Sequence, residues 1–540
     1  MSFEVRYTDL AGRIGKLKTP HGSLETPAFI PVIHPIRQTI TPQFLKTLGF
    51  NAIITNAYIT LRHYGDEARK RGIHDIIKYD GVIMTDSGGY QVLEYGSVDV
   101  EPNVIAKFEN DIRSDIPVPL DKPTGYGLKY DKAKEYVKQT LKNAREALNV
   151  IGEGRKSKTI KSNIGNEYCN DDTNSDALWV GPIQGAEHSD LVKYSAEALD
   201  KMGFNLMAIG SPVELMEAYE FSQLARMIAT VKQAIPAKPI HLFGAGHPIT
   251  IPMAVALGCD MFDSASYILY AKDNRYMYSN GTIRLEDLSY LPCQCPICTT
   301  YSIKELLYMD KDSRILEVAK HNLYILKAEV NAVKQAIIDG RLWEYVMQKA
   351  HAHPNLMEAM GLFKTFQYLD KGTRIFKEKA VFLYDPIDQY RPEAKRFRDM
   401  VSKFRPLKNK KKLILYPDSN IHPFYSTRVF LGLIKKFPDA QICTYSPFIG
   451  IIPSELSDIF PAAQNLSCKK FADYNQPKNY PSFIESLNRF VINNNFEEII
   501  IVADSFMRQV VDEDYYNNAS VIKKLNPKVF DYDYNIITKL

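Results

Sequence analysis

Eight short apolar runs, at 28–32, 52–55, 82–85, 116–120, 177–181, 206–209, 240–243 and 259–262, punctuate the first half of the chain. Each leads into polar or glycine-rich sequence and then a helix-compatible stretch. Several are continuous rather than alternating, as parallel strands covered on both faces should be. Eight such units predict a (β/α)8 TIM barrel over residues 1–360, a usual size for that fold. A doubly wound sheet is the competing arrangement. The fourth run is the least regular, because Pro117 and Pro119 each remove a ladder donor. Residues 153–176 are polar and read as an exposed insertion.

At 540 residues the chain exceeds a single core, so two to four domains are expected. A formal charge of +4 neither demands nor excludes nucleic acid, since local patches decide binding. The N-terminal residues lack a basic region followed by an apolar run, so no signal peptide is expected. No apolar stretch is long enough to span a bilayer, and no membrane partner is expected. Seven cysteines fit a reducing, cytoplasmic location.

Three of those cysteines fall within six positions, Cys293, Cys295 and Cys298, and His321 follows. Three thiolates and an imidazole suit one tetrahedral Zn2+ of the closed, structural kind. The context of His321, EVAKHNLY, reads as a helix. Zinc would therefore clip a helix onto the preceding loop, forming an inserted subdomain over about 285–330.

The residues that end the eight runs are polar in a consistent way. The third ends in Asp86-Ser87-Gly88-Gly89-Tyr90-Gln91, the fourth in Asp121, and the eighth in Asp263-Ser264. The fifth leads to Gln184-Gly185, the sixth to Gly210-Ser211, and the seventh to Gly244-Ala245-Gly246-His247. In a barrel these positions collect at the C-terminal face, where active sites form. Asp86 or Ser264 alone reads equally well as a helix cap. Three carboxylates, an amide and glycine-rich backbone at one mouth weaken that reading. One carboxylate can attack a sugar C1 carbon while a second moves protons, and Asp263 and Asp86 make such a pair. Asp121 and Gln184 could read a planar heterocycle, and Gly210 and Ser211 could supply main-chain contacts. There is no P-loop, and no GxGxxG follows the first strand, so nucleotide-triphosphate and dinucleotide chemistry have little support.

Together, DSGGYQV at 86–92, GPIQGAEH at 181–188, FGAGHP at 243–248, GCDMFDSASY at 258–267 and the cysteine cluster with its histidine resemble the tRNA-guanine transglycosylases. The FGAGHP and DMFDSASY forms resemble the archaeal branch. That resemblance implies exchange of guanine at tRNA position 15 for free 7-cyano-7-deazaguanine (preQ0), on the route to archaeosine. It implies Asp263 as the nucleophile of a covalent tRNA intermediate and Asp86 as general acid/base. It implies Asp121 and Gln184 as base-recognition groups, with Ser87, Gly210 and Ser211 in the substrate pocket. Ser211 stands where the family often has glycine. Cys293, Cys295, Cys298 and His321 match the family's zinc ligands, and a homodimer built partly on that region is implied. Lys272, Arg275 and Arg284 lie between the nucleophile and the cysteines and could touch phosphates. Two other classes remain open: a non-catalytic RNA-binding module on the same scaffold, and a family enzyme with altered base or target choice.

Residues 361–540 bring new runs at 380–384, 412–416, 441–445 and 498–502, predicting one or two accessory α/β or α+β domains. The basic stretch 403–412 is either a solvated face or an RNA-facing loop. Residues 444–464 resemble the accessory region of archaeal transglycosylases and related archaeosine-pathway proteins. Archaeal members often end in a PUA domain, and no glycine-rich barrel pattern follows residue 510. Either a separate PUA-domain protein or the basic stretch 403–412 would then be expected to help grip tRNA.

Overall fold

The apolar runs pair as parallel strands in the order in which the chain makes them. A computed structural model describes residues 3–88, 100–162, 177–419, 421–468, 476–512 and 526–532, with side chains described outside 151–162. The chain divides into two compact units, Met1–Ile338 with Leu342–Leu362 and Asp339–Arg341 with Phe363–Leu540.

The first unit opens with an antiparallel sheet of β1 (Phe3–Asp9), β2 (Gly12–Thr19) and β3 (Gly22–Thr26). Eight strands follow: β4 (Ala28–Pro31), β5 (Ala52–Asn56), β6 (Val82–Asp86), β7 (Ile116–Val118), β8 (Val180–Ile183), β9 (Leu206–Ile209), β10 (Ile240–Leu242) and β11 (Met261–Ser264). One parallel arc runs β4-β11-β10-β9-β8 and another β5-β6-β7. A parallel bridge between Val32 and Ile54 joins β4 to β5. At the other seam the Leu178 amide donates to the Asp115 carbonyl at 2.8 Å, just before β8 and β7. The first and last strands of the series, β4 and β11, are hydrogen-bonded neighbours, so the order closes as a TIM-barrel-like ring. Ile30, Ile54, Met84, Ile116, Val180, Leu206, Ala208 and Met261 are buried together as its filling.

Three details differ from the sequence expectations. Strand β7 stops at Val118, and Pro119 lies beyond the ladder it could not have joined. Strand β11 extends through Ser264, so Asp263 sits within the strand, opposite Ile30, rather than after it. The long helix Tyr130–Ser162 absorbs the start of the supposed insertion, because its Lys-, Glu- and Ala-rich sequence favours helix despite Gly152 and Gly154. Residues 163–176 lie outside the described residues.

The floor of the ring is fixed by a buried ion pair. On β2, Arg13 meets Asp260 in a fork, Nε to Oδ1 at 2.8 Å and Nη2 to Oδ2 at 2.8 Å. Asp260 Oδ2 also accepts from the Ile240 amide at 2.8 Å. One carboxylate thus ties the N-terminal sheet to the starts of β10 and β11.

After β11 comes a hairpin of β12 (Arg275–Tyr278) and β13 (Gly281–Arg284), then the cysteine segment and the helix Lys311–Asp339 that carries His321. The second unit contains a parallel pair, β14 (Val381–Leu383) with β18 (Asn465–Ser467). Its main sheet is built from β15 (Lys412–Pro417), β16 (Ala440–Ser446), β17 (Gly450–Pro453), β19 (Glu498–Ala503) and β20 (Lys528–Asp531), in the order β17-β16-β15-β19-β20. Only β17 runs antiparallel among these described strands. Leu413, Leu415, Cys443 and Tyr445 pack on one face with Phe483 and Leu487. Ile414, Tyr416, Ile442 and Ile500 pack on the other with Phe424 and Leu433, as period-two alternation requires. In the basic stretch Lys410, Lys411 and Lys412 pair with Glu455, Glu497 and Glu498.

Breaking the floor pair leaves a buried guanidinium with backbone carbonyl partners but no counter-charge, a loss of up to about 3–5 kcal/mol. Asp260→Ala is expected to lower the denaturant midpoint of the first unit accordingly. Replacing both partners, Arg13→Met with Asp260→Leu, should recover much of the loss. Equal losses in the single and double variants would show that the pair does not act as a unit.

Candidate active site and metal centre

Parallel strands present their C-terminal ends on one rim. Asp86 is the last residue of β6, Asp263 the third of β11, and Asp121 lies three residues beyond β7. Gln184 follows β8, and Gly210 and Ser211 follow β9. The predicted residues are therefore gathered at one mouth. Ser87 is fully buried, and its hydroxyl has no partner among the described residues. Gly89, Tyr90 and Gln91 lie outside the described residues.

The mouth is electrostatically crowded. Burial, followed by the negative charge of Asp121 and a contribution from Asp263, pushes the Asp86 carboxyl up to about 7. A hydrogen bond from Asn56 Nδ2, at 3.2 Å, and one from the Gly88 backbone oppose the rise without cancelling it. Burial raises Asp121 to about 6, against the pull of Gln184. A proton is thus held at this mouth near neutral pH.

Gln184 is committed to the protein rather than left open to a ligand. Its Oε1 accepts from the Thr124 amide at 3.0 Å, Thr124 Oγ1 at 2.9 Å and Ser211 Oγ at 3.0 Å. Its Nε2 donates to Asp121 Oδ2 at 2.6 Å. The carbonyl side of Gln184 is thus filled from within the protein, and one Nε2 hydrogen remains. Gly210 permits this packing, since a Cβ there would meet Gln184 Nε2 at 2.1 Å. Ser211 sits at φ 58° and contributes its side chain to the same network.

His241 is the neighbour that sequence reasoning missed. It is fully buried on β10, and its Nε2 lies 2.6 Å from Asp263 Oδ1. The Gly244 amide donates to the same oxygen at 3.1 Å. Asp263 is itself only 8% exposed. A histidine inside the apolar run 240–243 gave no signal beyond a polar interruption.

The cysteine segment converges on His321. Cys295 Sγ and Cys298 Sγ are 3.6 Å apart, and each lies 3.4 Å from His321 Nδ1. The four donor atoms, Cys293 included, lie within 4.8 Å of one another and could hold a metal ion. His321 Nε2 donates to the Met277 carbonyl at 2.7 Å, which leaves Nδ1 as the ligand atom. Tyr276 stacks on the imidazole, ring centroids 3.7 Å apart, and its hydroxyl reaches Cys298 Sγ at 3.2 Å. The next residue, Asn322, accepts from the Met277 amide and donates to the Tyr267 carbonyl. Tyr267 in turn donates to the Val32 carbonyl, at the end of β4. The cluster is thereby linked to the seam that carries Asp263.

Residues 9–355 match the family model for queuine tRNA-ribosyltransferase. The chain belongs to this tRNA-guanine transglycosylase family. Archaeal proteins named tRNA-guanine(15) transglycosylase are similar over most of its length. That of Saccharolobus solfataricus is 42% identical over 471 residues, 86% of this chain and 90% of that protein. That of Sulfolobus acidocaldarius is 40% identical over 469 residues, covering 86% and 88%. That of Methanosarcina barkeri is 36% identical over 520 residues, covering 95% and 96%.

A second group of potential ligands lies at the opposite end of this transglycosylase barrel. Asp115 Oδ1 meets the His21 amide at 2.9 Å and His21 Nδ1 at 2.8 Å. Its Oδ2 meets the Ile83 amide at 2.8 Å and His74 Nε2 at 3.0 Å. Four N–H donors fill the carboxylate, so the cluster is a hydrogen-bonded clamp on the barrel floor. Burial alone would raise Asp115, but the bonds from His74, Ile83 and His21 outweigh it and hold the carboxyl below its ordinary value.

The three cations expected to touch phosphates differ in surroundings. Lys272 is exposed at the end of the helix Ser266–Lys272. Arg275 lies 3.0 Å from Asp273, and Arg284 lies 3.5 Å from the same carboxylate. No helix among the described residues is long and apolar enough to cross a membrane.

Metal analysis separates the two clusters. The purified chain is expected to carry one divalent metal per chain. Cys295→Ser or His321→Ala should lower that number and destabilise the cysteine segment, because metal binding contributes to folding. His74→Ala should leave it at one. A count of two that falls to one in His74→Ala would overturn the reading of the floor cluster.

Proposed function

We propose that this protein is a tRNA-guanine(15) transglycosylase that replaces guanine in tRNA with 7-cyano-7-deazaguanine, in archaeosine biosynthesis. The observation that carries the proposal is the pairing of two unlike carboxylates at one barrel mouth. Asp263 is buried and hydrogen-bonded on one oxygen, whereas Asp86 is held near neutrality.

The chemistry follows from that difference. An Asp263 oxygen forms a bond to C1′ of the target nucleotide as the C1′–N9 bond breaks. The electron pair leaves with guanine, and Asp86 supplies a proton to a ring nitrogen. The incoming base then gives its N9 proton to the Asp86 carboxylate. Its electron pair forms the new C1′ bond, and the C1′–Asp263 bond breaks back to carboxylate. Two displacements retain configuration, and Asp86 ends as it began. The target base must leave the folded tRNA to reach a site this enclosed.

Asp121 is the base-reading group in this account. Gln184 acts behind it, with Ser211 and Gly210 shaping the wall and the Ser87 hydroxyl, unpartnered among the described residues, offered to a base edge. Zn2+ suits the Cys293, Cys295, Cys298 and His321 donors. Bond lengths of about 2.3 Å to sulfur and about 2.0 Å to nitrogen imply tetrahedral edges of about 3.8 and 3.5 Å. The separations of 3.6 and 3.4 Å are close to those values. Zinc here would hold structure and take no part in the exchange. Lys272, with Arg275 and Arg284, is assigned to tRNA phosphates. The second unit, residues 361–540 in outline, is assigned as an accessory RNA-binding region. A homodimer, a cytoplasmic location and help from a separate PUA-domain protein complete the proposal.

Three measurements bear on it. Wild-type protein mixed with unmodified tRNA should yield a denaturant-resistant protein–tRNA adduct, and Asp263→Ala should yield none while still binding tRNA. An adduct of normal yield from D263A would remove Asp263 as nucleophile.

The pH dependence has opposite signs in the two half-reactions. Adduct formation needs Asp86 protonated and should fall as pH rises through about 7. Transfer to the incoming base needs the carboxylate and should rise over the same range. Single-turnover rates at pH 5.5–8.5, about one and a half units either side of that value, read both. Parallel slopes for the two steps would contradict the assignment, and Asp86→Asn should flatten each.

Asp121→Ala should weaken binding of the free base several-fold or more, since a lost buried hydrogen bond costs about 1–3 kcal/mol. Binding of tRNA, titrated in parallel, should hardly change. The reverse pattern would move Asp121 to the RNA surface.

A further inference from the structure

The two oxygens of Asp263 are not equivalent. Oδ1 accepts from His241 Nε2 at 2.6 Å and from the Gly244 amide at 3.1 Å. No donor reaches Oδ2 among the described residues. His241 is held on β10, level with Ala208 on β9 and Met261 on β11, and is fully buried. Its ring lies against Phe243, centroids 5.0 Å apart. Its Nδ1 is buried and without a partner among the described residues. An imidazole with one nitrogen unpartnered and the other pressed on a carboxylate is placed for that carboxylate alone.

We infer that His241 is a positioning residue that makes Oδ1 of Asp263 the spectator oxygen, leaves Oδ2 to attack C1′, and favours release of the sugar in the second displacement. This rests on the transglycosylase reading above. A carboxylate facing His241 accepts from Nε2–H, so the neutral tautomer with its proton on Nε2 suffices.

The consequence for the two steps is directional. When Oδ2 bonds to C1′, Asp263 becomes an ester, and Oδ1 becomes a neutral carbonyl oxygen. Hydrogen bonds to a charged acceptor are roughly twice as strong as those to a neutral one. The donors on Oδ1 therefore stabilise the free carboxylate more than the ester. In the second displacement the electron pair of the C1′–Oδ2 bond returns to Asp263, and the charge spreads to Oδ1 where His241 and Gly244 meet it. The geometry acts as an oxyanion-type site for a carboxylate leaving group. His241 thus slightly restrains attack and assists departure. Without it the covalent tRNA–protein adduct should persist.

The test follows adduct formation and decay on denaturing gels, using the full chain and a tRNA transcript. A chase with 7-cyano-7-deazaguanine starts the second step. His241→Phe should raise the fraction of protein trapped as adduct and slow the chase about tenfold or more. His241→Gln, whose amide nitrogen reaches the position of the imidazole Nε2, should restore both. His241→Asn, too short to do so, should not. Formation and chase slowed equally in H241F, or a chase at the wild-type rate, would overturn the proposal. Should H241F fail to fold, identical chase rates in H241Q and H241N would overturn it instead. Absence of any adduct from wild type would remove the transglycosylase reading itself, and this inference with it.

Discussion

The pairing of β11 with β4 is the constraint on which the first unit turns. It closes the ring, and a stretch of only four residues serves both ends of it. Asp260 sits at the floor, gripped by Arg13 and the Ile240 amide. Asp263 sits at the mouth, gripped by His241 and the Gly244 amide. Between them Met261 and Phe262 are fully buried. A strand fixed at both ends by buried polar contacts cannot slide by a residue without losing both sets and turning its faces over. The position of the proposed nucleophile is therefore a property of barrel closure rather than of a loop. The cysteine cluster reaches the same seam through Asn322 and Tyr267, so a metal held there would influence the site without touching a substrate.

Crowding of like charges does the rest. Asp86, Asp121 and Asp263 share a mouth, and three ionised carboxylates there would repel strongly. The protein answers unequally. Asp263 receives two donors on one oxygen, Asp121 receives the Gln184 amide, and Asp86 receives bonds from Asn56 and Gly88 that do not offset its burial and its charged neighbours. The proton falls to Asp86, with a carboxyl raised to about 7. Base exchange needs one group that gives a proton and later takes it back, so an acid poised near the working pH is the useful one.

Much of the first unit was legible because strands buried on both faces are continuous apolar runs, and each such run ends where the polar rim begins. In the antiparallel β1–β3 sheet, β1 escaped notice because FEVRYTD interleaves charged residues and is largely exposed. In the second unit, β17, β18 and β20 are only three or four residues long, which gives periodicity little to work on. At the mouth, sequence could gather Asp86, Asp121, Gln184 and Asp263 but not say what each bonds. Gln184 is filled by Thr124, 60 residues earlier, and by Ser211, 27 later. His241 passed unremarked within the apolar run 240–243, since only the three-dimensional ring brings it to Asp263, 22 residues away. The cysteine spacing was informative by itself because metal chemistry fixes ligand number, whereas hydrogen-bond partners follow from tertiary packing.

On the proposed reading this barrel exchanges a base in tRNA through an aspartyl intermediate, with position 15 as the target. The most direct measurement incubates unmodified tRNA with isotopically labelled 7-cyano-7-deazaguanine and the full chain, then locates the label by nuclease digestion and mass spectrometry. The account predicts one labelled base per tRNA, at position 15, with the backbone uncut and one guanine released for each base incorporated. Label at another position, label incorporated without guanine release, or no incorporation by protein that binds tRNA would contradict it.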